Sequence, residues 1–258
     1  MRRIMIVGIG AGNPDHITLQ AIDALRRADV FFVTDKGDKE DLQQLRREIL
    51  QRHVPQSAHK VVAIQDPERD RTAADYPGAV GDWHRRRAAL YEALFSDSLE
   101  EHGCGAFLVW GDPCLYDSTL RIVADIAARG NVAIDYEIIP GITSIQALTA
   151  RHRIPLNQIG GPVRITTGRR LSQDSMATAA AGPDTSDIVV MLDGACAFKH
   201  VTDSEVDIYW GAYLGTPDEI LLSGKLSEIA PTIEQTRSRA RAQKGWIMDT
   251  YLLRKPIG

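Results

Sequence analysis

The feature that most constrains this fold is a set of short apolar runs that lack polar alternation and end at glycine or proline. In the clearest case, the run at 105–110 stops at Gly111-Asp112-Pro113, because Pro113 has no N–H to donate to a sheet. Unbroken apolar runs of this kind are typical of strands buried on both faces, as in parallel sheets covered by helices. Similar breaks follow apolar runs at 8–14, 140–144 and 193–194.

These breaks predict an α/β protein with candidate binding loops at one edge of its sheet. The carboxyl ends of parallel strands lie at the same edge, and open α/β sheets bind ligands there. The loop at 110–118 is therefore a candidate site, with Ser118 or Thr119 capping the helix that follows. An ordinary strand-to-helix turn gives the same local pattern, so this segment alone leaves both interpretations open.

Composition narrows the class of protein and its compartment. The chain has 258 residues, 44% of them hydrophobic, which suits one large domain or two small ones. A formal net charge of −4 provides no global attraction for nucleic acid or an anionic membrane, so neither is expected as a partner. Three cysteines without a C-x-x-C pair favour a reducing compartment, and no apolar stretch reaches membrane-span length. We therefore expect a cytoplasmic protein.

The order of apolar and helical patterns predicts two domains. Residues 151–162 are rich in proline and glycine and form the expected boundary, which gives domains 1–152 and 153–258. Before that boundary, 66–82 reads as a long polar connection, and Trp83 opens a helix that reaches roughly His102.

The opening loop carries glycines at 8, 10 and 12, which let the backbone turn tightly beside a ligand. It resembles a dinucleotide-binding fingerprint, but Asn13 occupies the place of the third glycine and Pro14 delays the helix. Asp35, after the second apolar run, is an acidic residue of the kind that such a fold requires. A nicotinamide-dependent oxidoreductase is therefore kept as an alternative.

Taken together, the four breaks resemble the tetrapyrrole (corrin/porphyrin) methyltransferase family. Its V-G-x-G-x-G-x-P-x-x-(L/I)-T opening matches 7–18, its G-D-P strand end matches 111–113, and its P-G-(I/V)-(T/S)-(S/A) turn matches 140–144. The strand end at 191–194 corresponds to one near the methyl donor. The resemblance implies a two-domain fold with a parallel first sheet, a mixed second sheet and S-adenosylmethionine in the cleft between them. It also implies S-adenosylhomocysteine as product and a homodimer.

Further segments narrow the resemblance within the family. Residues 33–37, 66–71 and 82–84, and Trp110 before the G-D-P motif, are similar to members that act in aerobic cobalamin biosynthesis. This resemblance implies methylation of precorrin-5 at C-1 with release of acetate. The alternatives are another methyltransferase of the family, the oxidoreductase, and a non-catalytic binding protein.

The resemblance also implies the residues that contact the methyl donor. Methyl transfer from a sulfonium needs in-line placement and exclusion of water more than acid or base help. Asp112 is a candidate acceptor for the donor, although aspartate before proline is also a common turn residue. The implied donor-site residues are Trp110, Gly111, Asp112, Leu115, Thr143, Ser144, Leu192, Asp193, Ala212, Tyr213 and Leu214.

Loss of the acetyl group requires attack by water and stabilisation of an oxyanion. His16, on the glycine-rich loop, is a candidate base because histidine titrates near neutral pH, although a loop histidine is more often solvated surface. Asp35, His84 and Tyr116 are candidates for the deacetylation step, with Lys36 as a charge partner. A strand-end salt bridge, a helix surface position and a packed aromatic ring explain these three equally well.

The implied substrate is a polycarboxylate macrocycle, which would account for local arginines in a net acidic chain. Arginine binds carboxylates through two parallel hydrogen bonds. A solvated helix face is the competing interpretation for at least one arginine of 85–87. The candidate substrate-binding residues are Gly10, Gly12, Asp15, Arg69, Arg71 and Arg85. Neither the cysteines nor the seven histidines have metal-ligand spacing, so no metal is expected.

Overall fold

The structure is a computed structural model that describes residues 1–35, 40–54, 59–68, 76–177 and 187–255. The chain divides into two compact units, Met1–Thr143 and Ser144–Gly258. The division lies before the helix that the sequence analysis assigned to the end of the first domain, at 152.

The first unit is an α/β unit built on a five-stranded parallel sheet of order β3-β2-β4-β1-β5. The parallel sheet expected from the unbroken apolar runs is confirmed. A 3₁₀ turn at Pro14–His16 follows the first strand. The elements are β1 (Arg2–Gly8), α1 (Leu19–Arg26), β2 (Val30–Asp35), α2 (Glu40–His53), β3 (Lys60–Gln65), α3 (Tyr76–Ser98), β4 (Cys104–Val109), α4 (Thr119–Arg129) and β5 (Ile134–Ile139).

The core of this unit lies on both faces of the sheet. Successive side chains of β1 point to opposite faces, so Ile4 and Ile6 enter one cluster while Met5 and Val7 enter the other. All four side chains are fully buried. This two-sided burial is the reason why the strand sequences show no polar alternation.

Helix α3 begins at Tyr76, earlier than the sequence analysis expects, and ends at Ser98 rather than near His102. Pro77 is the second residue of the helix, where its fixed φ suits the helix and its missing N–H needs no partner. The connection expected at 66–82 is correspondingly shorter. Residues 69–75 of that connection lie outside the described part of the chain.

The second unit is built on a mixed five-stranded sheet of order β6-β7-β10-β8-β9, as expected. Strands β6 and β7 are parallel, whereas β10 is antiparallel to both β7 and β8, and β9 is antiparallel to β8. A 3₁₀ turn at Ala197–His200 follows β7. The elements are α5 (Ser144–His152), β6 (Val163–Thr167), α6 (Gly168–Ala177), β7 (Asp187–Met191), β8 (Asp207–Ala212), β9 (Ile220–Lys225), α7 (Leu226–Lys244) and β10 (Asp249–Arg254).

The proline- and glycine-rich segment after α5 belongs to the second unit. Arg254 Nη2 donates to the carbonyl oxygens of Pro155 and Leu156 at 2.9 and 3.1 Å. The same guanidinium forms a buried ion pair with Asp187, at 2.6 Å from Nε to Oδ1. Helix α5 is also held there, because His152 Nε2 lies 3.0 Å from Trp210 O. Side chains and main-chain atoms of other strands therefore hold this segment in the second unit, although its sequence is typical of a linker.

Candidate functional site

In the first unit, the loops that follow β1, β4 and β5 meet at the carboxyl edge of the sheet. Strand β1 lies between β4 and β5, so its loop is flanked by theirs. Gly111 N donates to Gly10 O at 2.8 Å, which pairs the glycine-rich loop with the G-D-P loop. Gly141 N donates to Asp112 Oδ2 at 2.9 Å, which ties in the third loop. Three segments that are distant in sequence therefore form one continuous wall.

Glycine is required where these loops touch. A Cβ on Gly141 would lie 2.1 Å from Gly111 O, and a Cβ on Gly8 would lie 2.7 Å from the same oxygen. The neighbours are main-chain atoms, which cannot move aside as a side chain can. Gly111 itself has a φ of +69°, a conformation that other residues rarely adopt.

The carboxylate of Asp112 holds this wall together. Oδ1 accepts a hydrogen bond from Cys114 N at 2.7 Å, while Oδ2 accepts the bond from Gly141 N. Each oxygen therefore accepts a main-chain N–H, and the side chain has a structural function in addition to the donor contact expected from the resemblance. The following Pro113 is buried.

The other donor-site residues expected in this unit lie on the same loops. Trp110 is half-buried and packs against the cluster that contains Val7, and Leu115 is half-buried. Thr143 is buried, and its Cα would lie 3.7 Å from a Cβ placed on Gly111. The structure therefore brings the residues of the first group together.

The glycine-rich loop is shaped by its own side chains. Gly10 has a φ of +87° and lies against His16, whose Cβ would be 2.5 Å from an added Cβ. Asn13 Oδ1 accepts from Asp15 N at 2.9 Å and caps the 3₁₀ turn. Helix α1 begins only at Leu19, so the glycines do not lead directly into the helix N-terminus that a dinucleotide pyrophosphate requires.

The residues expected to act in catalysis or substrate binding lie on several elements of the first unit. Asp15 is exposed and forms an ion pair with Arg52 at 3.2 Å, and His84 lies on α3 with its ring centroid 5.4 Å from that of Trp83. Tyr116 is 44% exposed on the G-D-P loop. Asp35 ends β2, but its side chain lies outside the described residues, as do Lys36, Arg69 and Arg71.

The three consecutive arginines of α3 have different environments. Arg85 is exposed and pairs with Asp82 on the same helix, as expected of a solvated face. Arg86 donates to Glu68 O at 2.9 Å. Arg87 is buried and holds two segments that are distant in sequence, since Nε lies 2.8 Å from Asp66 Oδ1 and Nη1 lies 2.7 Å from Ser118 Oγ.

The position of Arg87 was missed by the sequence analysis, although a local signal exists. Trp83, Arg87 and Tyr91 are spaced four apart on one face of α3. The guanidinium carbon of Arg87 lies 4.6 Å from the Trp83 ring centroid, and Nη2 donates to Tyr91 OH. Burial raises the pKa of Tyr91, which keeps the phenol neutral. Arg87 therefore fixes the end of the G-D-P loop through Ser118.

A second arginine supports the same loop from the other side. Strand β2 pairs with β4 only as far as Phe107, whereas β4 continues to Val109. Arg46 Nε donates to Leu108 O at 3.2 Å, one residue beyond the last residue of β4 that pairs with β2. Burial lowers the pKa of Arg46, and the nearby charge of Asp117 acts in the opposite direction. No local pattern in the sequence indicates this contact.

In the second unit, the ends of β7 and β8 meet at the start of β10. Met191 pairs with Thr250, and Ala212 pairs with Asp249, so the residues that follow both strands share one edge. Ser144 Oγ lies 2.9 Å from Thr250 Oγ1, which adds the first residue of α5 to this edge. The antiparallel β10 thus gathers the second group of expected donor-site residues.

Two of these residues have left-handed backbones but different exposures. Leu192 has a φ of +53° and is 65% exposed. Tyr213 has a φ of +50°, but its ring is buried and its hydroxyl donates to Trp246 O at 2.6 Å. Ala212 and Leu214 are also buried. The side chain of Leu192 is therefore exposed, whereas the ring of Tyr213 is enclosed and its main-chain N and O bond to Met248 O and Thr216 N.

Asp193 is the centre of a buried hydrogen-bond network. Oδ1 accepts from Ala195 N at 2.9 Å, and Oδ2 accepts from Ala197 N at 2.6 Å and from Tyr251 OH at 2.7 Å. A Cβ on Gly168 would lie 2.4 Å from Asp193 Cγ, so the carboxylate is enclosed. This carboxylate therefore shapes the turn after β7, and its expected contact with the methyl donor stays a prediction.

The network extends into α7 through Arg237. Its Nη2 donates to Asp193 O at 2.6 Å, and its Nε lies 2.9 Å from Asp249 Oδ2, which also accepts from Trp210 Nε1. Burial raises the pKa of Asp249, while Arg237 and the Trp210 hydrogen bond act to lower it. The sequence analysis did not find the functions of Tyr251 and Arg237.

Backbone strain marks the expected sites. In the described part of the chain, five non-glycine residues have a positive φ, and three of them are Tyr116, Leu192 and Tyr213. Such conformations cost free energy and cluster at functional sites. Their coincidence with residues chosen from sequence motifs supports a binding function for these loops.

The described residues also lack the features of a metal site and of a membrane-spanning helix. These residues contain no group of three or more histidine, cysteine, aspartate or glutamate side chains suited to a metal ion. Over the same ranges, no helix combines the length and hydrophobicity needed to span a membrane. Cys104, Cys114 and Cys196 are free thiols.

Comparison with known proteins places these observations in a family. The family model for Tetrapyrrole (Corrin/Porphyrin) Methylases matches residues 3–230. A protein of Sinorhizobium sp named precorrin-6A synthase (deacetylating) is 55% identical over 257 residues, which cover 99% of this chain and 96% of that protein.

Solved structures agree with this result. CobF of Corynebacterium diphtheriae, a cobalamin synthesis related protein, is 40% identical with a TM-score of 0.83, and the match covers 99% of each chain. A uroporphyrin-III C-methyl transferase from Thermus thermophilus, solved with S-adenosyl homocysteine, shares the fold at 19% identity, with a TM-score of 0.56 and coverage of 98% and 97%. None of these matches favours an oxidoreductase. The chain belongs to the tetrapyrrole methylase family.

Proposed function

We propose that this protein transfers a methyl group from S-adenosylmethionine to C-1 of precorrin-5 and releases the acetyl group as acetate, giving precorrin-6A. The observation that carries the proposal is the 55% identity, over nearly the full length of both chains, to the precorrin-6A synthase (deacetylating) of Sinorhizobium sp. The chain is a methyltransferase of cobalamin biosynthesis, and the finer assignment concerns the substrate and the position methylated.

The loop residues suit S-adenosylmethionine. This donor has an adenosine, which needs apolar contacts, and a cationic sulfonium and ammonium, which suit carboxylate and carbonyl oxygens. Leu192 provides an exposed apolar side chain, and Asp112 provides a partly exposed carboxylate. Gly111 has a φ of +69° and leaves its part of the loop without a side chain. We infer that these residues, with Trp110 and Leu115, bind the donor.

When bound, S-adenosylmethionine supplies an activated methyl group that needs no protein base to leave. The work of the chain is then to orient both reactants and to exclude water. The wall formed by Gly8, Gly111 and Gly141 is suited to this work because its main-chain segments pack so closely that a Cβ on Gly8 or Gly141 would not fit. Asp112 and Arg87 hold the same loop at each of its ends.

Release of acetate adds a hydrolytic step. Water attacks the acetyl carbonyl, the carbon–carbon bond to the macrocycle breaks, and acetate leaves while the macrocycle keeps the electron pair. We propose His16 as the group that takes the proton from water and Tyr116 as a donor to the developing oxyanion, with Asp35 as a further candidate. His16 is half-buried beside Gly10, and Tyr116 lies on the G-D-P loop.

We further propose that arginines bind the substrate carboxylates, with the exposed Arg85 of α3 as the described candidate. A homodimer and a cytoplasmic location remain proposals that rest on the family resemblance and on the composition. Sedimentation velocity at several protein concentrations tests the dimer, and a single monomeric species at every concentration would overturn it.

The decisive experiment incubates the protein with precorrin-5 and S-adenosylmethionine carrying a labelled methyl group. Transfer of label with an equal amount of acetate supports the proposal. Transfer without acetate identifies another methyltransferase of the family, and absence of transfer by protein that binds the donor identifies a different substrate.

The donor assignment is tested through Leu192. Leu192→Asp places a charge on an exposed apolar contact, so we expect the KM for S-adenosylmethionine to rise at least about tenfold, with little change in Tm. Ile159→Asp is the matched control, because Ile159 is fully exposed in the same unit and outside the expected site. Equal KM values for the two variants would remove Leu192 from the donor site.

A further inference from the structure

The second unit contains a cavity that the proposed function does not use. It has a volume of about 560 Å³ and lies between the 3₁₀ turn after β7 and helix α7. The polar and charged residues that line it are Cys196, Lys199, Glu234, Arg237, Ser238 and Arg241. None of the residues that line it belongs to the set expected to contact the methyl donor.

The wall of the cavity is predominantly cationic. Three basic side chains face a single carboxylate, Glu234, which pairs with Lys199 at 2.6 Å between Nζ and Oε1. The counter-ion of Arg237 is Asp249, which is not part of the wall. Arg241 therefore adds a positive charge that Glu234 alone does not balance.

Arg237 is a fixed and nearly buried element of this wall. Its exposed fraction is 8%, and it is held by Asp249 and by the carbonyl oxygen of Asp193. These bonds use Nε and Nη2, and Nη1 takes part in none of them. A guanidinium that is held rigid beside a cavity loses little conformational entropy when it binds a ligand.

The helix places further donors beside this guanidinium. Arg237 and Arg241 are at positions i and i+4 of α7 and so share one face, and Ser238 also lines the cavity. Lys199 enters from the 3₁₀ turn on the other side. Two guanidinium groups and an ammonium supply donors and positive charge, and the Ser238 hydroxyl can donate as well, which suits an oxyanion.

We propose that this cavity binds a small oxyanion, either a carboxylate or a phosphate, through Arg237, Arg241 and Lys199. The competing explanation is that the basic residues only stabilise the carboxyl end of α7, where cations are favoured by the helix dipole. A specific oxyanion site would show saturable binding, whereas a general cationic helix end would not.

The test is calorimetric titration of the full-length protein with inorganic phosphate and, separately, with succinate, at constant ionic strength. We expect saturable binding of at least one, and the tighter ligand identifies the chemical source. Arg241→Glu should weaken that binding at least about tenfold, because it removes a charge-assisted hydrogen bond and adds repulsion.

Arg239→Glu is the matched control. Arg239 is exposed on the same helix and is not part of the cavity wall, so this variant makes the same change of charge outside the site. We expect its affinity to stay within about twofold of the wild-type value, in line with the small effect of screened surface charges. Binding of S-adenosylmethionine by both variants shows that they are folded. If the proposed function fails, their circular dichroism spectra show instead whether they are folded. Equal weakening in both variants, or no saturable binding by the wild type, would overturn the proposal.

Discussion

The two units position their strand-end loops by different means. In the first unit, the loops after β1, β4 and β5 touch through main-chain atoms, and glycine is the residue that fits at Gly8 and Gly141. In the second unit, the turn after β7 is held by side chains that converge on Asp193. One loop system is fixed by close backbone approach, and the other is fixed by a buried polar network.

The sheets explain this difference. Parallel strands deliver their carboxyl ends to one edge, where neighbouring loops crowd together. In the mixed sheet, β10 is antiparallel to β7, so residues at its start lie beside the end of β7, and Tyr251 reaches Asp193. Backbone crowding excludes a Cβ at Gly8 and Gly141, whereas the network depends on the presence of each polar partner.

The largest effect is expected from adding one methyl group to the first loop system. Gly141→Ala places a Cβ against main-chain atoms of Gly111 and Gly8, so we expect a loss of more than about 3 kcal/mol in the free energy of unfolding. Gly194→Ala, in the turn after β7, is the control, because a Cβ there meets nothing within 4 Å. Urea unfolding measures both. Similar losses in the two variants would mean that backbone crowding does not separate the units.

The next largest effect is expected in the second unit, from a change in the polar network around Asp193. Asp193→Asn replaces an acceptor oxygen with an NH₂ group in an enclosed site, so we expect a loss of about 3 kcal/mol. Asp112→Asn makes the same change in the half-buried loop of the first unit, where water can compensate, and about 1 kcal/mol is expected. Chemical denaturation of both variants tests the order, and a larger loss at Asp112 would contradict it.

A smaller effect is expected from removing one hydrogen bond of the network around Asp193. Tyr251→Phe removes the hydroxyl that donates to Asp193 Oδ2, which still accepts from Ala197 N. We expect a loss of about 1 kcal/mol. The double variant with Asp193→Asn should lose less than the sum of the single losses, because the two residues act through the same bond. Strict additivity would show that the contact contributes nothing.

The smallest effect is a dependence on pH in the second unit. Burial lowers the pKa of His152, against the raising effects of Trp210 O and Glu219. Protonation is then favoured in the unfolded chain, so stability is complete above the ordinary histidine pKa of about 6.5 and falls as the pH drops towards the folded value. Between pH 7 and 5, the wild type should lose more stability than His152→Gln, by less than about 1 kcal/mol. Identical pH profiles would exclude this contribution.

The sequence by itself determined the α/β class, the strands that end at glycine or proline, and the family. These features depend on local backbone chemistry, since Pro113 ends a strand and Gly111 permits a left-handed turn wherever the chain goes. The same motifs located Leu192 and Tyr116, whose backbones prove to be strained. The donor and catalytic assignments themselves remain predictions.

Only the tertiary structure decided which polar side chains are structural. Asp193 and Tyr251 are 58 positions apart, and Arg237 is 44 positions from Asp193, so no local pattern joins them. Arg87 is distinguished from Arg85 by Asp66 and Ser118, which reach it from other elements. The physical reason is that backbone restrictions act between adjacent residues and are encoded locally, whereas a buried charge is stabilised by partners that become its neighbours only after the sheet has formed.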